Sequence, residues 1–271
     1  MPPSSQTDNT PTDRDARTRA PKTALITGAG KRLGKAMALA LGKLHYDVAV
    51  HYHHSERDAE AVCEQVRAHG GKSIKVQADL TKENDVAGLI ERAAHELGQP
   101  IGLLINSAST FENDDVETMS RASWDLHMEA NLRAPVHLVQ QFAAQYEQIS
   151  GASIINIIDQ RVWKLTPQFL SYTASKATLY SLTQTLAQAL GPKGIRVNAI
   201  GPGPTLRNKR QSEEDWIKQN VSTVLGHGAT PDDIVGAMQY LLQARAVTGQ
   251  MIAVDGGQHL AWQTPDVMID E

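Results

Sequence analysis

The sequence predicts a doubly wound α/β fold: a single domain with one parallel sheet of about seven strands and helices on both faces. Three observations carry this. Short apolar runs alternate with helical patterns along most of the chain. Those runs are nearly continuous in apolar residues, as strands covered on both faces are. The first run ends in Gly28-Ala-Gly30, and a helical pattern follows at once.

The elements follow in order. Thr23–Thr27 reads as the first strand and Arg32–Leu44 as the first helix. Asp47–Tyr52 is a strand and Glu56–His69 a helix; Ser73–Ala78 is a strand and Glu83–Leu97 a helix. Ile101–Asn106 is a strand, with helical patterns between about Arg121 and Ile149. Ser153–Ile158 leads to a helix over Tyr172–Leu190. Ile195–Ile200, a helix over Asp232–Gln243 and Met251–Val254 complete the pattern. Right-handed βαβ units account for the alternation. Residues 1–21, rich in Pro, Ser, Thr, Asp and Arg, read as a disordered tail, 22–262 as the single folded domain and 263–271 as a C-terminal tail.

The 271 residues, 41% hydrophobic and 21% charged, suit one globular domain with a large core. A net charge of −4 provides no basic field for nucleic acid or acidic lipid. No apolar run is long enough to span a membrane, and residues 1–21 lack the apolar centre of a secretory signal. Cys63 is the only cysteine, so no disulfide forms within the chain. These features suit a reducing, cytoplasmic setting. Of the ten histidines, His51, His53 and His54 lie closest together, but no carboxylate or CxxC framework accompanies them and no metal site is expected.

The glycine loop predicts a dinucleotide site. Gly28 and Gly30 let the backbone approach a pyrophosphate, Gly34 lets the helix pack on its strand, and the helix N-terminus attracts the anion. Near the end of the second strand, where an acid normally holds the adenosine ribose, the chain reads His51-Tyr-His-His-Ser55. With Lys31 and Arg32 in the loop, cations and hydroxyls favour a 2′-phosphate, and so NADP(H). Arg32 is the main candidate, with His54 and Ser55 as helpers. Glu56 either binds ribose or begins the next helix.

Tyr172 and Lys176, four apart, share a helix face, where an ammonium lowers a phenol's pKa. Asp159 ends the apolar run before them. Tyr-x-x-x-Lys alone is a weak pattern. Its weight comes from its position after the fifth strand, where strand ends line the ligand crevice.

Over about residues 22–262 the chain resembles the short-chain dehydrogenases/reductases. The resemblance rests on the glycine loop, Asp79, Asn106-Ser-Ala-Ser109, Asn131, Tyr172 with Lys176, Gly201-Pro-Gly203, and Thr248-Gly with Val254-Asp-Gly-Gly257. It implies a Rossmann-type fold and a set of roles. Tyr172 donates the proton, Lys176 binds the nicotinamide ribose, and Asn131 holds a water linking Lys176 to solvent. Gly28, Lys31, Arg32 and Leu33 meet the phosphates, and Asp79 and Leu80 the adenine. Asn106, Ala108 and Ser109 run along the cofactor, and Gly201 and Pro202 close over the nicotinamide. It also implies a homotetramer, with Trp124 and the helix after Asn131 in the subunit contact.

Three departures narrow the resemblance. Arg32 stands where the family usually has Gly, Asp159 where it has Ser, and Ser107 where it has Asn. Arg32 and Asp159 together resemble the pteridine and dihydromonapterin reductases, in which an aromatic at the position of Phe111 stacks on the pterin. His51-Tyr-His53 resembles that branch's cofactor segment, although the branch has Arg where this chain has His54. A ring nitrogen that must be protonated is better served by a carboxylic acid and a phenol than by an oxyanion hole. Arg32, Ser109, Phe111, Asp159, Tyr172, Thr205 and Leu206 are then the expected substrate contacts.

Around this set, Asp159 has a second reading as a cap or an ion-pair partner of Arg161 or Lys164. Trp163 either walls the pocket or packs on the surface. Arg207 meets an acidic substrate tail or is solvated, and Trp216, on a short amphipathic helix, anchors a lid or simply packs. The expected function is NADPH-dependent reduction of a dihydropterin- or dihydrofolate-type ring. A carbonyl or 3-oxoacyl-type reductase is the alternative enzyme, and a non-catalytic NADPH-binding regulator the alternative of another class.

Overall fold

The computed structural model describes residues 19–262 except Lys209. Seven strands form one parallel sheet in the order β3-β2-β1-β4-β5-β6-β7. They are β1 (Thr23–Ile26), β2 (Asp47–Tyr52), β3 (Ser73–Gln77), β4 (Leu103–Asn106), β5 (Ala152–Ile157), β6 (Ile195–Pro202) and β7 (Met251–Val254). The helices are α1 (Arg32–Lys43), α2 (Glu56–Arg67), α3 (Glu83–Val86), α4 (Leu89–Leu97), α5 (Arg121–Met128), α6 (Ala134–Ala144), α7 (Leu170–Leu190), α8 (Glu213–Val221) and α9 (Pro231–Gln243).

Alternate strand residues supply two cores. Leu25, Ala49, Leu104 and Ile154 face α4, α6 and the end of α7, where Phe142 is fully buried. Ala24, Ile26, Val48, Val50 and Ile105 face α1, α2 and α9. Truncating a side chain buried like Phe142 to Ala typically costs about 3–5 kcal/mol.

The expected helix over 83–97 is two helices, because Gly88 adopts φ +71 and breaks it. The helical stretch from Arg121 is interrupted by a π turn over Glu129–Arg133. β6 runs two residues beyond its expected end, so Gly201 and Pro202 pair with Ala253 and Val254. Residues 1–18 of the expected N-terminal tail and the whole of 263–271 lie outside the described residues. Arg19, within that tail, bridges to Ser150, and Ala20 N–H donates to Ser150 O at 2.8 Å. Among the described residues no helix is long and apolar enough to cross a membrane.

Strand order reverses between β1 and β4. In such sheets ligands bind beyond the strands' carboxyl ends at this switch point.

Candidate active site

A cavity of about 1320 Å³ opens at that switch point, between the glycine loop, the segment after β4 and the segment after β6. Of the expected residues, Gly28, Lys31, Arg32, Leu33, Asp79, Leu80, Ala108, Ser109, Phe111, Asp159, Tyr172, Lys176, Pro202, Thr205 and Leu206 line it.

Several others do not. Gly30 packs under α2, where an added Cβ would sit 3.3 Å from Ala59 N. His54 is exposed and leans on the His53 ring, centroids 3.4 Å apart, and Ser55 precedes α2. Asn106 turns its Nδ2 onto Asn156 Oδ1 at 2.9 Å, inside the sheet. Gly201 is covered by Met251. Trp163 packs outside the cavity against Tyr180 and His259, whereas Trp216 lines it.

The glycine loop is held by three strands. Thr27 Oγ1 accepts from the N–H groups of Ser107 (2.9 Å) and Ala108 (3.0 Å). His51, 2% exposed at the end of β2, accepts from Gly28 N–H at Nδ1 (3.0 Å) and meets Ala78 O at Nε2 (3.1 Å). An N–H donor on one side and a carbonyl on the other fix the tautomer with hydrogen on Nε2. Burial lowers the His51 pKa to about 4, so the ring stays neutral. Both nitrogens are occupied, which removes His51 as a free metal ligand.

The residues present fit a dinucleotide. Gly28 lies at φ +64, and a Cβ there would approach Ala108 Cα to 2.9 Å, so only glycine keeps this stretch of the cavity wall. No side chain caps the start of α1 and its first turn carries no acid, leaving the positive end of the helix dipole available to an anion.

Arg32, where glycine is usual, has φ +51. A non-glycine residue in this region costs on the order of 1–3 kcal/mol. Its guanidinium donates to Leu206 O (2.9 Å) and Arg207 O (3.0 Å), tying the phosphate loop to the segment after β6.

At the other end of the cavity, Tyr172 O–H donates to Asp159 Oδ2 at 2.9 Å, and Asp159 Oδ1 accepts from Arg161 N–H at 2.8 Å. Burial raises the Asp159 pKa, only partly offset by these hydrogen bonds. Lys176, 2% exposed, donates to Ile157 O at 2.8 Å; burial lowers its pKa to about 8. The expectation that Lys176 lowers the Tyr172 pKa is corrected in this arrangement. Burial, then the Asp159 charge and the hydrogen bond to it, push the phenol well above its usual range. The ammonium is engaged by a carbonyl, while the phenol faces a carboxylate.

Asn131 sits in the π turn, fully buried. Its Oδ1 accepts from Thr110 N–H at 2.8 Å, and its Nδ2 donates to Thr110 O (3.0 Å) and Ser175 Oγ (3.3 Å). The side chain therefore fastens the segment after β4. Phe111 lies edge-on to Tyr172, with centroids 4.7 Å apart, and its face stacks on Phe169 at 4.3 Å.

Sequence reasoning missed Phe169, which lies at φ +59 with Arg161 4.9 Å over its ring. It also missed Arg210, which pairs with Glu112 and donates to Phe111 O across the cavity mouth. Asp114, His127 and Ser171, buried behind Tyr172, were missed too. No local motif marks any of these; the aromatic at 169 and the arginine at 210 were visible only as residue types.

Residues 28–259 match the family model described as enoyl-(acyl carrier protein) reductase. The chain belongs to the short-chain dehydrogenase/reductase family. It is 44% identical to FolM alternative dihydrofolate reductase 1 from Brucella canis, solved with NADP, with a TM-score of 0.86 over 90% of this chain and 96% of that one. The counterpart from Brucella suis, also with NADP, gives 44% and 0.86 over 91% and 98%. The 3-oxoacyl-[acyl-carrier-protein] reductase FabG of Staphylococcus epidermidis is 30% identical over 243 residues, 88% of this chain and 99% of its own length.

Proposed function

We propose that this oxidoreductase reduces a pterin ring with NADPH, the substrate being of dihydropterin or dihydrofolate type. The observation that carries the reading is the Asp159–Tyr172 hydrogen bond at the cavity floor, with Phe111 edge-on to the same phenol. The likeness to the FolM reductases supports it.

Gly28, Lys31, Leu33 and the start of α1 would hold the pyrophosphate of NADPH, and Arg32 the 2′-phosphate, with Asp79 and Leu80 beside the adenine. NADPH supplies hydride chemistry when bound. Phe111, one face of which stacks on Phe169, would offer its other face to the pterin. Tyr172 presents its proton to a ring nitrogen. Asp159 orients the phenol and accepts from the amino edge of the ring. Lys176, held by Ile157 O, would bind the nicotinamide ribose. Asn131, with both ends of its amide engaged, keeps the Thr110 segment and thus Phe111 in place. A homotetramer in the cytoplasm completes the proposal.

The FabG likeness favours a second reading, a carbonyl or 3-oxoacyl-type reductase. Steady-state NADPH oxidation with dihydropterins and dihydrofolate, against 3-oxoacyl thioesters and simple ketones, tests both. Dihydropterin turnover is expected. Ketone or thioester turnover without dihydropterin turnover overturns the pterin reading.

A further inference from the structure

Asp114, His127 and Ser171 come from three segments: Asp114 from the stretch after β4, His127 from α5 and Ser171 from the first turn of α7. All three are at most 1% exposed. Glu112 N–H donates to His127 Nε2 at 3.0 Å. An N–H can only donate, so Nε2 carries the lone pair and Nδ1 the hydrogen. Nδ1–H then donates to Ser171 Oγ at 2.7 Å, and the Ser171 hydroxyl must pass its own hydrogen to Asp114 Oδ2, a short contact. Asp114 Oδ1 accepts from Ser171 N–H at 3.0 Å, and Asp114 O accepts from Leu170 N–H at 3.1 Å. Each donor and acceptor in this chain has one possible direction.

The chain of bonds ends at meaningful places. Glu112 follows Phe111, and Ser171 precedes Tyr172. α7 has no cap of its own, because Phe169 at its start makes no side-chain cap bond. Asp114 supplies that cap from another segment, with its charge at the positive end of the helix dipole. The hydrogen bonds from Ser171 and Ser123 and the nearness of His127 hold its carboxyl below the usual range although burial opposes this. The His127 ring also meets the Tyr172 ring edge-on, centroids 5.9 Å apart. The segment after β4 is fastened independently at its cofactor end by Thr27 and at Thr110 by Asn131.

We infer that Asp114, His127 and Ser171 form a buried positioning clamp that sets the substrate side of the site, locking the Phe111 segment to the turn of α7 that carries Tyr172. None of the three lines the cavity, and they act through Phe111 and Tyr172. The inference rests on the reading of Tyr172 as the proton-bearing residue. Loss of turnover in Tyr172→Phe establishes that reading first, so its failure is distinct from failure of the clamp.

The test compares His127→Leu, His127→Gln and Ser171→Ala in the full chain, measuring kcat and KM for a dihydropterin and Kd for NADPH. Leucine removes both hydrogen bonds; glutamine restores one donor and one acceptor that do not titrate. His127→Leu and Ser171→Ala are expected to lower kcat/KM by about tenfold or more, since displacement of reacting groups by about 1 Å can cost about a hundredfold. His127→Gln should recover to within about threefold of wild type, and NADPH Kd should change by less than about twofold in all three. Equal losses in His127→Leu and His127→Gln, unchanged kcat/KM in Ser171→Ala, or parallel loss of NADPH affinity overturns the inference. If His127→Leu does not fold, Ser171→Ala, which deletes one hydroxyl, decides alone by the same split between kcat/KM and Kd.

Discussion

Tyr172 donates its phenolic hydrogen to Asp159 at 2.9 Å, so this phenol rests on a carboxylate rather than on a neighbouring hydroxyl. Tyr172 is buried and Asp159 half-buried at the cavity wall, and Lys176 lies on the same helix face as Tyr172, bonded to Ile157 O. A phenol held this way keeps its proton until a basic acceptor arrives, which a ring nitrogen provides and a neutral ketone oxygen does so only poorly.

Replacing Asp159 therefore separates chemistry from binding. Asp159→Ser or Asp159→Asn should lower kcat/KM for a dihydropterin by about a hundredfold or more, the usual scale for a positioned acid. NADPH affinity, measured by fluorescence titration, should stay within about twofold of wild type. Equal loss of turnover and affinity would mean that Asp159 is structural.

His51 makes stability depend on pH. Its pKa falls from 6.5 to about 4 on folding because burial disfavours the charged ring. Between those values the unfolded chain binds a proton that the folded chain excludes, so stability rises with pH across the interval and falls as pH drops from 6.5 towards 4. Linkage puts the full effect on the order of 3 kcal/mol. Urea unfolding at pH 7 and pH 4.5 should show a larger loss for wild type than for His51→Asn, and an equal loss would refute this account.

Arg32 is expected to act on the cofactor and not on the fold. Arg32→Gly relieves the strain at φ +51 and removes two exposed hydrogen bonds, effects of opposite sign, so stability should change by less than about 1 kcal/mol. Loss of a charge-assisted contact to a 2′-phosphate should raise KM for NADPH by about tenfold or more and leave KM for NADH nearly unchanged. Matched changes for the two cofactors would count against a 2′-phosphate role.

Two glycines with similar φ offer a control on the cradle. Gly28→Ala forces a Cβ to 2.9 Å from Ala108 Cα, whereas Gly70, at φ +87, has nothing within 4 Å. Both changes incur backbone strain of roughly 1 kcal/mol or more. Only Gly28→Ala should weaken NADPH binding, by about a hundredfold on the scale that a displacement of about 1 Å produces. Isothermal titration of both variants checks it.

The sequence alone predicted the seven-stranded parallel sheet and many of the residues that line the cavity. Periodicity located all seven strands to within a few residues, because strands buried on both faces must be apolar almost throughout. The glycine loop, Tyr172, Lys176 and Asp159 were legible because their chemistry depends on local spacing and on position at a strand end. Gly88 and the π turn at Asn131 broke helices whose periodicity alone continued through them.

Tertiary structure decided what the side chains face. Phe169 stacks on Phe111, His127 reaches Ser171, and Arg32 grips Leu206 across segments far apart in the chain, contacts with no period to betray them. It also decided the direction of the key hydrogen bond. Four residues of separation put Tyr172 and Lys176 on one face, but only the folded chain turns the ammonium onto Ile157 O and the phenol onto Asp159. A side chain's pKa follows from the groups that surround it and the water they exclude, and those are set when distant segments pack together.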